Sequence, residues 1–130
     1  MHRVVPALLI VIGLIHLLPL PGVLGSERLA ALYGLGFNEP NLALLMRHRA
    51  VLFGLLGAFL LYAAFQPALH TMALVGAAVS VLSFLWLAWQ EGGINAPVRR
   101  VVIADIVALV CVVVAAVVHA LAQTPRSEFN

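Results

Sequence analysis

Lysine is absent from this chain, and charge of either sign is scarce. Seven arginines and five carboxylates leave 9% of residues charged. A soluble domain carries about 25%, so a surface able to meet water on all sides is excluded. The formal net charge of +2 rests on few groups, and no basic run has aromatics interleaved. That excludes a nucleic-acid interface, and no nucleic acid is expected among the partners. A single cysteine, Cys111, excludes an internal disulfide and a cysteine-cluster metal site. Its valine neighbours mark it as a small buried hydrophobe. No metal and no cofactor is expected.

What the chain has instead is hydrocarbon: 64% of its 130 residues are hydrophobic, with a mean hydropathy of +1.11. A helix crosses a bilayer in about 20 apolar residues, so the length comfortably holds four spans. The expected fold is an all-α membrane protein, an up-down-up-down bundle of four transmembrane helices in one domain, 1–123, followed by a polar tail, 124–130. The spans read as 4–18, 42–65, 69–90 and 97–122, with a short interfacial helix at 26–34.

Pro19 and Pro21 close the first run, because proline cannot continue a helix. Met1-His2-Arg3 before it and Val23-Leu24-Gly25 after it imitate a cleavable signal peptide, but a retained span is expected. In SERLAALYG, Ser26 can cap, Glu27 suits the positive end of the dipole and Gly34 stops the helix. Asn38 or Asn41 opens the second span. Gln66-Pro67 turns the chain into the third, Asn95 caps the fourth, and Pro97 sits in its first turn. Short links imply antiparallel neighbours. Arg3 and Arg126 lie on one side of such a bundle, and Arg28, Arg47, Arg49, Arg99 and Arg100 on the other. The positive-inside rule then puts both termini outside.

Helices in lipid pack through small residues. Ala50, Gly54 and Ala58, with Gly57 beside them, form one such stripe, and Arg47 falls on it. Ala73, Gly76, Ser80, Ser83, Leu87 and Gln90 form a second, and Asp105, Val112 and His119 share a third face. A tight bundle without a large cavity is expected, and the same stripes could serve a homo-oligomer or a larger membrane complex. Trp86, Trp89 and Tyr62 suit interfacial belts.

The alternating topology gathers His16, Glu39, Arg47, His48, Arg49, Glu91, Asn95, Arg99, Arg100 and Asp105 at one end. An ionised carboxylate at the depth of Asp105 costs a few kcal/mol unless paired. Arg47 is the expected partner in a structural ion pair. His48 and Arg49 are rotated about 100° and 200° from Arg47, so the three cannot serve one site. Arg49, His48, Arg99 and Arg100 are the candidate receptors for an anionic group or a lipid head group, and His16, Glu39, Glu91 and Asn95 form a polar cluster around them. Membrane lipids are the expected partners. The alternative is a membrane enzyme or redox subunit using His16, His48 and Asp105, with no catalytic residue assignable. A bis-histidine haem on His16 and His48 needs matched depth and room. His2, His70 and His119 have no clustered partner and read as interfacial.

His16-Leu17-Leu18-Pro19, Leu32-Tyr33-Gly34, Glu39-Pro40-Asn41-Leu42 and the run LMRHRAVLFGLLG from Leu45 to Gly57 resemble small bacterial four-span proteins of a DoxX-like kind. The resemblance runs from about Val4 to Ala122 and implies a bacterial inner-membrane location. Members of that set are often described as phosphopantetheine adenylyltransferase, a soluble α/β nucleotidyltransferase with a histidine-glycine-histidine type motif. Here leucines and a proline follow His16, and no strand–loop–helix phosphate cradle exists. That activity is therefore not expected.

Overall fold

Each long apolar run folds as helix, the conformation that satisfies every backbone polar group within its own segment. The computed structural model describes residues 3–36 and 39–123; the proposed cap Asn38, His2 and the 124–130 tail lie outside them. In chain order the helices are α1 (Val4–Leu17), α2 (Ser26–Tyr33), α3 (Pro40–Ala64), α4 (His70–Glu91) and α5 (Ala96–Gln123). Four stretches are long and apolar enough to cross a membrane: Val4–Gly22, Pro40–Ala64, Pro67–Glu91 and Ala96–Gln123. The chain is an all-α, multi-pass membrane protein.

Helix starts and stops follow local chemistry, with two departures from expectation. The first long helix ends at Leu17, just before Pro19 and Pro21, as expected. Beyond the prolines the chain enters a 3-10 turn, Leu20–Leu24, that packs against α3. Glu39, not an asparagine, caps α3: its carboxylate accepts from the amides of Asn41 (3.0 Å) and Leu42 (2.8 Å). Pro40 then fills the first helical position, where its missing N–H costs nothing. Asn41 instead supports the cap, its side-chain amide donating to Glu39 at 2.8 Å. These amide donors hold the Glu39 carboxyl below the ordinary glutamate value. At α2 the cap position is Gly25 and the helix begins with Ser26. Gly34 ends α2 at φ 67°, a left-handed conformation that glycine adopts without strain. Asn95 caps α5 by accepting from the Val98 amide at 2.9 Å.

The helices stand in the order α3, α1, α5, α4, with α3 and α4 meeting less closely than the other neighbours. The core is built from Leu9 and Ile12 of α1, Leu60, Ala63 and Ala64 of α3, Ala73 and Ala77 of α4, and Val112 and Ala115 of α5. Two expected stripes are revised. On α3 the inward face runs through Ala50, Gly57, Leu60 and Ala64, while Ala58 and Arg47 are exposed. On α4, Ala73, Ala77 and Val81 are buried, but Ser83, Leu87 and Gln90 are exposed, in a helix that packs less closely on α3 than on α5. The closest crossing is between α1 and α3, where a Cβ on Gly57 would lie 2.9 Å from the Gly13 carbonyl oxygen. Outward-facing Leu55 (67% exposed) and Val79 (63%) are the lipid-facing surface of a membrane bundle. Tyr62, Trp86 and Trp89 are exposed as well.

Candidate functional site

At the end where α3 and α5 begin, the bundle opens. Contrary to the expected tight packing, a cleft of about 330 Å³ lies between α1, α2, α3 and α5. Its walls are mostly apolar, and His16, Tyr33, Arg49, Arg100 and Asp105 enter it. A second cleft of about 590 Å³ lies between α2, α3, α4 and the start of α5. Tyr33 and Arg49 line both clefts and so form the partition between them.

Arg49 is placed by the true inward face of α3. It precedes Phe53 by four residues, one helical turn on the same face. Its guanidinium carbon lies 4.5 Å from the Phe53 ring centre, 5.6 Å from Tyr33 and 5.7 Å from Phe84. A cation within about 6 Å of an aromatic face is attracted by the ring quadrupole. One Nη1–H donates to the Tyr33 hydroxyl at 2.6 Å. Among the described residues this is the only hydrogen bond Arg49 makes. The rest of its planar fork of donors stays open to the clefts.

Tyr33 is itself held from two sides. Its carbonyl accepts from the Asn95 side-chain amide at 2.8 Å, and a Cβ on Gly34 would lie 2.8 Å from Pro97 Cγ. The end of α2 is thus laid directly on the start of α5. Around Tyr33 pack Leu32, Ala43, Met46, Val98 and Val101.

Asp105 is half-buried and lies within charge range of Arg49, not Arg47. Among the described residues it forms no hydrogen bond, so the two charges face each other across the cleft and do not close a contact pair. The expected Asp105–Arg47 pair is therefore replaced by an Asp105–Arg49 opposition. The cause is rotational: with Gly57 and Leu60 inward, Arg49 turns to the cleft and Arg47 turns outward. His16, on α1, is buried beside Phe53, with ring centres 5.7 Å apart. Its Nδ1–H donates to the Ile12 carbonyl (2.9 Å), and in the neutral ring Nε2 accepts from the Ser80 hydroxyl (2.9 Å). Both ring nitrogens are engaged, so a haem or metal bond would cost one of these contacts.

The other candidates separate. Arg47, His48 and Arg99 are exposed and line neither cleft, so His16, His48 and Asp105 do not converge. Glu91 lines the second cleft. Asn95 and Glu39 work as helix caps. No group of three or more metal-ligating side chains exists among the described residues. His70 and His119, expected to stand alone, meet at the opposite end. Their ring centres are 6.1 Å apart, His70 Nε2–H donates to the Ala64 carbonyl at 3.3 Å, and His119 Nε2 is 2.8 Å from the Thr71 hydroxyl.

No family model, curated protein or solved structure matches this chain. The site therefore rests on its own geometry. Tyr33, Phe53, Phe84 and Ser80 belong to it, and sequence reasoning assigned none of them to a site. The Arg49–Phe53 spacing was the one available signal, since a cation and an aromatic four apart on a helix share a face.

Proposed function

We propose that this protein binds an anionic group, a lipid head group or the charged end of another amphiphile, against Arg49 at the α2 end of the bundle. The observation that carries this is the unsatisfied guanidinium of Arg49. It is stacked in place by three aromatic rings, uses one hydrogen bond, and faces two clefts. An arginine held this way has lost its rotamer freedom before the ligand arrives, which favours binding. Arg100, on the rim of the first cleft, adds positive potential. Asp105 opposes it, so the ligand best suited to the first cleft brings a hydrogen-bond donor beside its negative charge.

Arg49→Gln keeps the planar polar end and removes the charge. A charge-assisted hydrogen bond contributes about 1.5–3 kcal/mol, so affinity for an anionic phospholipid in uncharged detergent should fall about tenfold or more. Asp105→Asn should shift it the other way, by removing a like charge. Native mass spectrometry or a calorimetric titration reads both. Equal binding by wild type and Arg49→Gln defeats the proposal.

The location proposed is a bacterial inner membrane, on the DoxX-like resemblance. The termini are proposed outside and α2 with its clefts at the cytoplasmic face, on the excess of arginine at that end. Reporter fusions to the C-terminus test the orientation: an external reporter agrees, a cytoplasmic one reverses it.

A further inference from the structure

The second cleft has a different character from the first. Leu42 and Met46 of α3, Phe84, Leu87 and Ala88 of α4 and Val98 of α5 form its sides. Leu42 is 41% exposed and Leu87 55%, so the cleft opens sideways where α3 and α4 part. In a bilayer that opening faces acyl chains, not water. Its polar groups sit apart: Arg49 and Tyr33 at the partition, and Glu91 at the C-terminal end of α4. A negative group inside is attracted to the first and repelled by the second.

We propose that the second cleft holds an acyl chain whose anionic end sits on Arg49. This rests on the Arg49 reading above and adds where the chain goes. The charged end enters against an arginine that is already stacked in place. The chain then runs between α3 and α4 and leaves through the lateral opening into the leaflet. Burial of apolar surface favours the chain and the guanidinium favours the head, so neither an uncharged chain nor a short anion satisfies both. The Tyr33 hydroxyl competes with the ligand for the same guanidinium. The chemistry is shared by a free fatty acid and by one chain of an anionic phospholipid.

The two tryptophans provide the test. Trp86 and Trp89, with ring centres 5.5 Å apart, lie on α4 within about one turn of Phe84, Leu87 and Ala88. Bromine quenches indole fluorescence only at close range, so a brominated chain in the cleft is seen directly. Dibromostearate titrated into the purified protein in uncharged detergent should quench saturably. Arg49→Gln should raise the half-saturation concentration at least tenfold, and dibromostearyl alcohol should behave like that variant. Ala88→Phe, which fills the cleft, should abolish saturable quenching. Leu87→Ser changes an exposed position outside the buried core, and should weaken it severalfold.

If Arg49→Gln weakens binding while Ala88→Phe and Leu87→Ser do not, the chain lies elsewhere and only the anion reading survives. If Arg49→Gln has no effect, both fall. Repeating the titration with phosphatidylglycerol carrying a brominated chain identifies the source. Saturation by either ligand supports the proposal, and by neither overturns it.

Discussion

Gly57→Ala separates close helix packing from mere apolarity. A Cβ at Gly57 would lie 2.9 Å from the Gly13 carbonyl oxygen and 2.9 Å from Cγ and Cδ2 of Leu17. The leucine can turn aside, but the carbonyl belongs to the backbone of α1 and can give way only if the helix moves. Overpacking of this kind costs about 1–3 kcal/mol, and a backbone obstacle belongs in the upper part of that range. Alanine regains about 0.8–1 kcal/mol of helix propensity over glycine. The net loss is about 1–2 kcal/mol. Gly76→Ala makes the comparison sharp, because among the described residues, its own helix backbone aside, the only atom within 4 Å of its added Cβ is Leu56 Cδ1 at 3.8 Å, an ordinary contact. There the propensity gain stands alone, and the variant should be more stable by up to about 1 kcal/mol. Titrating each protein from mild detergent into dodecyl sulfate, followed by far-ultraviolet circular dichroism, reads the difference. The two midpoints should move in opposite directions. A Gly57→Ala protein as stable as Gly76→Ala would refute the close α1–α3 crossing. Gly13→Ala, whose Cβ would lie 3.1 Å from the Gly57 oxygen, should add less than its own cost to Gly57→Ala, because one displacement relieves both.

Asn95→Ala removes both the α5 cap and the hydrogen bond to the Tyr33 carbonyl. It should cost about 1–2 kcal/mol and speed amide exchange across α2; unchanged exchange there would show that Asn95 does not hold α2 down. Arg49→Lys keeps the charge but loses the planar fork and the stacking on Phe53, so it should bind anions nearly as poorly as Arg49→Gln; wild-type affinity would mean that charge alone matters. The Glu39 carboxyl is held below its ordinary value by the Asn41 and Leu42 amides, so its contribution is present above the ordinary glutamate value and lost as pH falls through the folded-state value. Protection at the first turn of α3, taken relative to the intrinsic exchange rate at each pH, should therefore fall in acid for wild type and stay flat with pH for Glu39→Gln.

The four spans and the Asn95–Pro97 start of α5 could be read directly, since bilayer thickness and capping chemistry act locally. Which face of α3 points inward could not. In lipid the outside of a helix is as apolar as its inside, so no polar periodicity separates them. The small-residue stripe was the only guide, and both Ala58 and Gly57 count as small in such a stripe. Centring the stripe on Ala58, with Gly57 beside it, instead of on Gly57 turns the helix by about one residue, or 100°, which carries Arg47 inward and Arg49 out. The ion-pair expectation failed at that step, and the tight-bundle expectation failed with it. Glu39 was misjudged for another reason: asparagine is the commoner cap, but Pro40 at the first helical position leaves the residue before it as the only place a cap can stand. The His70–His119 meeting had a readable signal. His70 opens α4 about as far from the α4–α5 turn as His119 lies beyond it, and antiparallel neighbours bring equal depths together.

The alanine-lined middle of the bundle has a consequence for permeation. Between Ser80 and Thr71 every α4 residue is apolar, as is every α5 residue between Asp105 and His119. Ala73, Ala77 and Ala115 there are fully buried. Eight α4 residues of that kind make a plug about 12 Å thick, with no group to replace an ion's hydration shell. Among the described residues of α4 and α5, no polar side chain continues from Arg49 and Asp105 toward His70 and His119. No polar side chain of α4 or α5 links the two ends across that plug, and a ligand held as proposed in either cleft would leave on the side from which it came or sideways into its own leaflet.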